Sequence, residues 1–296
     1  MNLTVAQALR TAFNPHFNET WRNRGKPLPA LADMSPAQVE VAVFDMPLRF
    51  IVAEEGNVKR AKERWVETKK WRIDHHINEV LLAPYPMCRS VRELIGHVFH
   101  GHSKNGDFVY IERPGAMKMK QVRALGLDDD EILMHYVHGI EYQWQMIDNR
   151  LNGKCFTILD LNGLGMRDMF GGPAMSLVRH ISKLLQTHYP VRSVKIVVIN
   201  VPSWFSMVWK VVKPLLHERT VKKVVICSSS EIGSTLREHI DEAQLPALYG
   251  GKCTCSAKTG GLGCVQGGHP LERDYLAFVN AVNAMGGEPL PKPKGL

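Results

Sequence analysis

The chain has 296 residues, of which 45% are hydrophobic and 22% are charged, a composition that is typical of a globular protein and excludes a disordered chain. Because no apolar run reaches ~18 residues and no secretory signal pattern stands at the start, the sequence predicts neither a membrane-spanning helix nor export. The formal net charge of +8 favours an anionic membrane over nucleic acid as partner, because no zinc-finger spacing or RNA-binding aromatic signature accompanies it.

The first part of the chain, residues 1 to about 92, is predicted to be helical. A helix begins at Ser35, and Pro47 should kink or split it, because proline interrupts helical hydrogen bonding. A second helix is predicted from near Asn57 to about Asp74. The segment LLAPYPMC then ends the helical pattern, because each proline disfavours the helical conformation in the residue before it.

From about residue 93, predicted strands alternate with predicted helices. The strands are FVYIE, which follows an Asn105-Gly106 turn, and then GKCFTILDL, SVKIVVIN and TVKKVVIC. The helices are LDDDEILMHYVHGIEYQWQMID, PAMSLVRHISKLLQTH, the segment 201–216, SEIGSTLREHI and LERDYLAFVNAVNAM. This alternation predicts an α/β fold whose strands pair mostly in parallel, through right-handed crossovers.

The segment 201–216, VPSWFSMVWKVVKPLL, predicts a helix that is apolar over roughly 200° of its circumference, far more than a surface helix needs. Its polar strip contains Ser206, Lys210 and Lys213. The pattern fits a helix sandwiched within the core, or one with protein on one face and a removable apolar partner on the other. The apolar side chains are Trp204, Phe205, Met207, Val208, Trp209, Val211 and Val212.

Sequence signatures of common enzymes are missing. The segment DLNGLGMRDMFGG lacks the G-x-G-x-x-G spacing of a dinucleotide site, and there is no Walker lysine motif, G-x-S-x-G elbow or H-E-x-x-H pair. The hydroxyls of SSSE, residues 228–231, are explained more simply by a helix that Ser230 caps. We therefore expect no enzymatic activity and no catalytic residue.

Histidines and one glutamate form two groups whose spacing could suit a metal ion. The groups are His97, His100 and His102, and His135, His138 and Glu141. A metal site needs three or four such side chains to converge. Because nothing in the sequence shows that they do, we interpret these histidines as surface residues.

The Gly-rich tail from about residue 246 contains Cys253, Cys255, Cys264 and His269, which could form a zinc site. The C-x-C spacing differs from the usual C-x₂-C, so the sequence favours a turn-rich structural lobe without a metal. The six cysteines show no disulfide framework and are expected to be mostly reduced. We expect no metal and no cofactor.

Segments in a fixed order resemble the CRAL-TRIO lipid-binding family, and within it the phosphatidylinositol/phosphatidylcholine transfer proteins. The segments, over about residues 45 to 270, are LRFIVAEEGNVKRA…KWR, KNGDFVYIERPGA, CFTILDLNGL, THYPVRSVKIVVINVPSWFSMVWKVVKPLL, TVKKVVICSSS and LPALYGGKC. The resemblance implies an α/β fold in which a helical N-terminal lobe precedes a mostly parallel sheet flanked by helices. These elements would form a hydrophobic lipid pocket, and the helix of residues 201–216 would be its mobile lid.

The resemblance also implies domain boundaries and a set of ligand-binding residues. The helical lobe would span residues 1–92, the lipid-binding domain residues 93–270, and a C-terminal helix and tail residues 271–296. The matching positions are Thr220 and Lys223, which in the family contact phosphoinositides, and Tyr110 and Thr157 on the phosphatidylcholine side. A lysine beside a phosphate acts as a point charge.

Four positions depart from the family pattern. Glu54 aligns with an arginine of the family, and His180 aligns with a glutamate, so an acid–histidine pair could replace the family's charge pair. Phe99 and Cys155 stand where the family has a tyrosine and a serine, which removes two hydroxyls. These changes weaken the expectation of inositol selectivity.

The sequence therefore predicts a non-catalytic carrier that encloses one phospholipid and exchanges it between membranes or presents it to lipid kinases. Exposing two acyl chains of ~16 carbons would cost on the order of 25 kcal/mol, so a carrier must enclose them and open at a bilayer. The alternatives are a sterol, tocopherol, retinoid or haem carrier, with Cys155 as a conceivable haem ligand, or a lipid-directed hydrolase. We expect a cytoplasmic monomer that contacts anionic membranes transiently and binds no nucleic acid.

Overall fold

A five-stranded sheet lies at the centre of the part of the chain that the computed structural model describes. Its strands follow chain order, β1 to β5; β1 and β2 are antiparallel, and all other neighbours are parallel. The mostly parallel sheet predicted from the sequence is confirmed. The described residues are 46–148, 150, 153–170, 173–255 and 262–296. The strands are β1 His97–His102, β2 Phe108–Glu112, β3 Cys155–Asp160, β4 Ser193–Ile199 and β5 Val224–Ile226.

Helices flank the sheet on both faces, and their order agrees with the predicted alternation. In chain order the described helices are α1 Leu48–Ala53, α2 Val58–Asp74, α3 Cys88–Ile95, α4 Met119–Ala124, α5 Asp129–Tyr142, α6 Met166–Phe170, α7 Pro173–His188, α8 Phe205–Val212, α9 Glu218–Val221, α10 Ile232–His239 and α11 Pro270–Ala284. A π-helical turn, Gln143–Ile147, extends α5, and a 3₁₀ turn, Lys213–Leu215, extends α8. None of the described helices is long and apolar enough to cross a bilayer.

Local capping explains where several helices begin. The Asn57 side chain accepts a hydrogen bond from the Arg60 amide, 3.1 Å away, at the start of α2. Asp128 and Glu131 form a reciprocal capping box at the start of α5. The predicted cap at Ser230 is wrong: α10 begins after Glu231, which makes no side-chain cap bond.

Proline determines the start of α1, because this helix begins directly after Pro47. The predicted start at Ser35 lies outside the described residues. Along α2, the ring of Trp71 stacks on His188 at 4.0 Å between ring centroids, and this contact joins α2 to α7. The predicted division into lobes at residue 92 and at residue 270 stays a prediction.

The two faces of the sheet differ in how tightly they are packed. Side chains alternate between the two faces along a strand, so the burial of two neighbouring residues describes opposite faces of the sheet. On one face, here called the packed face, every central side chain is at most 2% exposed; these are Val109, Ile111, Phe156, Ile158, Val197 and Ile199. Helix α10 covers this face through Leu236.

The opposite face, here called the site face, keeps accessible surface beneath its helices. Five residues of this face are only partly buried, namely Tyr110, Glu112, Thr157, Leu159 and Ile196, whereas Val198 on the same face is 2% exposed. Helices α5 and α11 cover the β1–β2 side of this face, and α8 covers the β4–β5 side. The site face is thus covered by helices on both sides, while several of its side chains remain only partly buried.

Candidate ligand site

A row of side chains crosses the site face from β1 to β4. Phe99 pairs with Tyr110, Tyr110 with Thr157, and Thr157 with Ile196 in the registers of the three strand pairs. The structure therefore brings together three residues that the resemblance assigned to the ligand, which lie far apart in sequence. Cys155 joins them, because its Sγ lies 3.5 Å from Thr157 Oγ1.

Phe99 is the most deeply packed member of this row, with 1% of its surface exposed. Its ring contacts Tyr275 at 5.6 Å between centroids, and the Arg92 guanidinium lies 4.5 Å from the ring centre. Phe99 therefore forms the buried end of the row, within the core. Tyr110 and Thr157 keep accessible surface.

A chain of hydrogen bonds fixes the Tyr110 hydroxyl. His97 Nδ1 bonds this hydroxyl, and His97 Nε2 lies 2.9 Å from His135 Nε2. His135 Nδ1 lies 2.9 Å from the Tyr85 hydroxyl. Burial lowers the pKa of His97 and of His135 well below 6.5, and the charge of Arg92 lowers both further, so both rings are neutral.

The tautomers of these two histidines follow from Arg92. Arginine only donates, and Arg92 Nη1 lies 3.2 Å from His97 Nε2, so this nitrogen is an acceptor. His97 therefore carries its proton on Nδ1 and donates it to the Tyr110 oxygen, while His135 donates from Nε2. The Tyr110 hydroxyl oxygen therefore accepts from His97, and the hydroxyl keeps its own proton to donate.

The interpretation of the histidines as surface residues is wrong for four of them. His97, His100, His135 and His138 are each at most 3% exposed. A buried histidine pair needs partners from distant segments, which local sequence does not reveal. The missed signal was the spacing of His97 and Phe99, because residues two apart in a strand share one face.

His135, His138 and Glu141 do not converge on a metal. His138 Nδ1 lies 2.9 Å from the Tyr275 hydroxyl. Glu141 instead accepts from Arg72 at 2.7 Å and from the Tyr189 hydroxyl at 2.5 Å.

Among the described residues, one group with metal-ligand spacing does come together. It consists of His100, Cys253, Cys255 and Cys264, whose ligand atoms all lie within 4.8 Å of one another. His269, which the sequence grouped with these cysteines, instead caps α11 by accepting from the Leu271 amide at 3.2 Å. The three cysteines that the sequence grouped therefore come together with His100 in place of His269, and the expectation that no metal binds stays a prediction.

Lys223, directly before β5, and Thr220, in helix α9, lie at the opposite end of the strands from Asp160. Lys223 Nζ donates to the Ser193 carbonyl at 2.6 Å, and the Thr220 carbonyl accepts from the Lys223 amide at 3.0 Å. Burial lowers the pKa of Lys223, and the charges of Lys154 and Arg219 lower it further. Cations therefore gather at this corner, here called the basic corner.

Glu54 and His180 are not brought together. Glu54 binds Arg60 and Arg64, each at 2.8 Å, and these hydrogen bonds and charges lower its pKa although burial raises it. His180 is exposed on α7. The acid–histidine pair that the sequence allowed does not form, because two arginines that follow in α2 occupy the Glu54 carboxylate.

Helix α8 rests on the site face with one side and faces outward with the other. Phe205 and Val208 are buried against Leu161 and Val198, and Trp204, Trp209 and Val212 pack partly on the same cluster. Met207 is 47% exposed, and Val211 is 41% exposed. The sandwiched reading of this helix is therefore wrong, because its outward side has no protein above it among the described residues.

Comparisons with known proteins identify similar chains and a similar fold. The model of the CRAL/TRIO domain matches residues 93–251. The phosphatidylinositol/phosphatidylcholine transfer proteins SFH4 and SFH11 of Arabidopsis thaliana are each 30% identical over 73% and 70% of this chain. The alignments span 36% and 57% of the lengths of those relatives. The crystal structure of Sfh5 superposes with a TM-score of 0.57 and 16% identity, covering 96% of this chain and 97% of that chain.

Proposed function

The chain belongs to the CRAL/TRIO domain family, and from that premise we propose that it encloses a single phospholipid on the site face and exchanges it between membranes. The similar proteins SFH4 and SFH11 are named phosphatidylinositol/phosphatidylcholine transfer proteins. Their names support a phospholipid as ligand. The geometry of the site face supports the position of that ligand.

The proposal rests on two side chains, Tyr110 and Glu112, that lie deep in the protein and yet keep solvent-accessible surface. Burial raises the pKa of Tyr110 well above its usual value and raises the pKa of Glu112, so both side chains lie deep in the protein. Both nevertheless keep accessible surface, whereas Val109 and Ile111, which alternate with them, keep almost none. Deep side chains with accessible surface border an internal space, as a carrier of apolar chains requires.

The proposed pocket is apolar with a few polar groups. Leu159 and Ile196 supply the apolar floor, and the Tyr110 hydroxyl supplies a donor whose orientation the His97 ring fixes. Neutral histidines behind that hydroxyl suit a site for uncharged parts of a lipid, because these two rings add no buried charge beside the chains. Thr157 and Cys155 complete the polar set.

The basic corner is the proposed contact for a lipid phosphate. Lys223 is half-buried and has Lys154 and Arg219 as its charged neighbours. A phosphate would relieve their mutual repulsion and accept charge-assisted hydrogen bonds from Lys223 and the Thr220 hydroxyl. With Glu54 held by two arginines and His180 exposed, we propose weak selectivity for inositol.

Helix α8 is the proposed lid of the pocket. Its buried side, with Phe205 and Val208, lies on the site face, and lifting it would uncover that face. Its outward side carries Met207, Val211 and the exposed Lys210, which suits insertion at an anionic membrane interface.

A catalytic role for the site-face thiol is disfavoured. Burial raises the pKa of Cys155 to about 12, so the nucleophilic thiolate is scarce at neutral pH. Its polar neighbour is the Thr157 hydroxyl, which is not a general base. The proposal is therefore a carrier without catalysis.

A test is to fill the pocket and measure lipid content and transfer. Thr157→Trp should reduce the phospholipid that co-purifies with the protein and should abolish its transfer between vesicles, because the indole would occupy the floor of the pocket. Thr235→Trp is the matched control, since Thr235 is also half-buried but lies on α10, over the packed face. A wild-type protein that carries no lipid by mass spectrometry and transfers none would overturn the proposal. So would equal transfer by Thr157→Trp and the control.

A further inference from the structure

One histidine and three cysteines from three separate segments meet beside β1. His100 comes from β1, Cys253 and Cys255 from the turn region after α10, and Cys264 from the 3₁₀ turn Leu262–Val265 that leads to α11. Their four ligand atoms lie within 4.8 Å of one another. His100 and Cys264 are fully buried, and Cys253 and Cys255 are half-buried.

Two distances within this group are close to those of a tetrahedral metal site. Zinc bound by sulfur at ~2.3 Å and by nitrogen at ~2.0 Å places two sulfurs about 3.8 Å apart and a sulfur and a nitrogen about 3.5 Å apart. Cys253 Sγ and Cys255 Sγ are 3.4 Å apart, and Cys255 Sγ is 3.5 Å from His100 Nε2. All three thiols are free, and a disulfide would need its sulfurs at about 2.05 Å.

The His100 ring is poorly satisfied without a metal. It is 1% exposed, its Nδ1 has no hydrogen-bond partner among the described residues, and its Nε2 faces the Cys255 thiol. A thiol is a weak hydrogen-bond partner, and leaving a buried polar group nearly unpaired is unfavourable. A metal ion bound at Nε2 would give this ring the strong contact that it lacks.

The backbone is shaped to bring the ligands together. A Cβ added at Gly268 would lie 2.8 Å from the Gly263 carbonyl oxygen and 3.3 Å from Cys255 Cβ, so a larger residue would push the ligand segments apart. The C-x-C segment is held from the other side, where the Cys253 amide donates to the Leu245 carbonyl at 2.9 Å.

We propose that His100, Cys253, Cys255 and Cys264 bind a structural Zn²⁺ ion. Three thiolates and one imidazole form a complete tetrahedral set, which is typical of closed structural zinc sites and leaves no open position for catalysis. The ion would fasten β1, an edge strand of the sheet, to the segment that leads into α11. This role is independent of the lipid.

Metal analysis of the purified protein tests the site. We expect about one zinc per chain in the wild type and in Cys227→Ser, and less than about a tenth of that in Cys255→Ser and Cys264→Ser. Cys227 is the matched control, because it is a buried free thiol on the packed face, away from the cluster. Chelation should lower the Tm of the wild type and of Cys227→Ser.

Cobalt provides a second measurement that does not depend on the folding of a variant. Wild-type protein freed of zinc and loaded with Co²⁺ should show the intense visible bands of a tetrahedral site and a thiolate-to-cobalt charge-transfer band. Wild-type protein that holds no zinc and gives no tetrahedral cobalt spectrum would overturn the proposal. Full zinc content in both cysteine variants of the cluster would also overturn it.

Discussion

At the scale of single residues, Lys222 and Lys223 are neighbours in sequence with different surroundings. Lys222 is exposed and pairs with Glu218 on the surface, whereas Lys223 is half-buried in the basic corner. Lys223→Ala should weaken binding of a phosphorylated headgroup by about 1.5–3 kcal/mol, or about 10- to 150-fold in affinity, because it removes a charge-assisted hydrogen bond. Lys222→Ala should change little.

Vesicle-to-vesicle transfer of phosphatidylcholine and phosphatidylinositol measures this difference. Both lipids should be affected, because they share the phosphate. Equal transfer by the two alanine variants would show that the basic corner does not contact the lipid.

The buried histidines give stability a pH dependence whose sign follows from their pKa values. Burial, with a smaller contribution from Arg92, lowers the pKa of His138 from 6.5 to about 3. In the unfolded chain His138 therefore binds a proton below about pH 6.5, whereas in the folded chain it binds one only near pH 3. The contribution of neutral His138 to the free energy of unfolding is therefore complete above pH 6.5 and decreases on acidification, by about 2 kcal/mol between pH 8 and pH 5.

Urea unfolding at pH 8, 6.5 and 5 tests this sign. The free energy of unfolding of His138→Gln should decrease less between pH 8 and pH 5 than that of the wild type, because glutamine does not titrate. Glutamine can still bond the Tyr275 hydroxyl. His180→Gln, at an exposed position, is the control and should keep the wild-type slope. The prediction is wrong if His138→Gln unfolds with an unchanged pH dependence.

At the scale of elements, helix α8 offers two exposed apolar side chains for membrane contact. Replacing Met207 and Val211 together by serine should leave the Tm nearly unchanged, because both are outside the core, yet should weaken vesicle binding. The matched control replaces Val66 and Ile73 on α2, which are 60% and 68% exposed. Vesicle sedimentation distinguishes the pairs, and a similar loss in both would remove α8 as the membrane-contacting element.

Most elements were predictable because their signals are local. The bounds of β2 and α7 follow from a turn, a run of β-branched residues or a helical pattern within a few positions, and the structure confirms them. Strand β1 was missed, because its sequence HVFHGH has no such pattern and becomes a strand by pairing with β2. Its His97 is bonded by Arg92 of α3 and by His135 of α5, which no local rule connects.

The candidate site was only partly predictable, because some of its residues have roles that depend on contacts between distant elements. Tyr110 and Thr157 were assigned through the resemblance, and the strand register explains why they lie side by side. His97 and Arg92, which determine the orientation of the Tyr110 hydroxyl, were missed because their roles depend on packing across elements. His100 displaces His269 from the cysteine cluster because β1 runs beside it, which only the fold reveals.

At the scale of the whole molecule, the formal net charge of +8 predicts how the protein meets membranes. If the surplus serves docking, vesicle binding should rise with the fraction of anionic lipid and fall as salt is raised, because screening shortens the Debye length from ~10 Å at 0.1 M to ~3 Å at 1 M. Binding assays across salt concentrations measure this. Equal binding to neutral vesicles at low and high salt would show that the positive charge serves solubility and not membrane docking.

The buried ion pair between Arg92 and Glu272 joins two residues that the ribosome adds far apart in time. Strands β1 to β5 leave the ribosome in the order in which they lie in the sheet, so each can pair with its predecessor. Glu272, which binds Arg92 at 2.8 Å and accepts from the Phe99 amide at 2.9 Å, is made 180 residues after Arg92. Until it arrives Arg92 lacks its counter-charge, a deficit of about 3–5 kcal/mol once buried. A chain stopped before α11 would therefore have every strand but remain open along β1, where proteases could attack it.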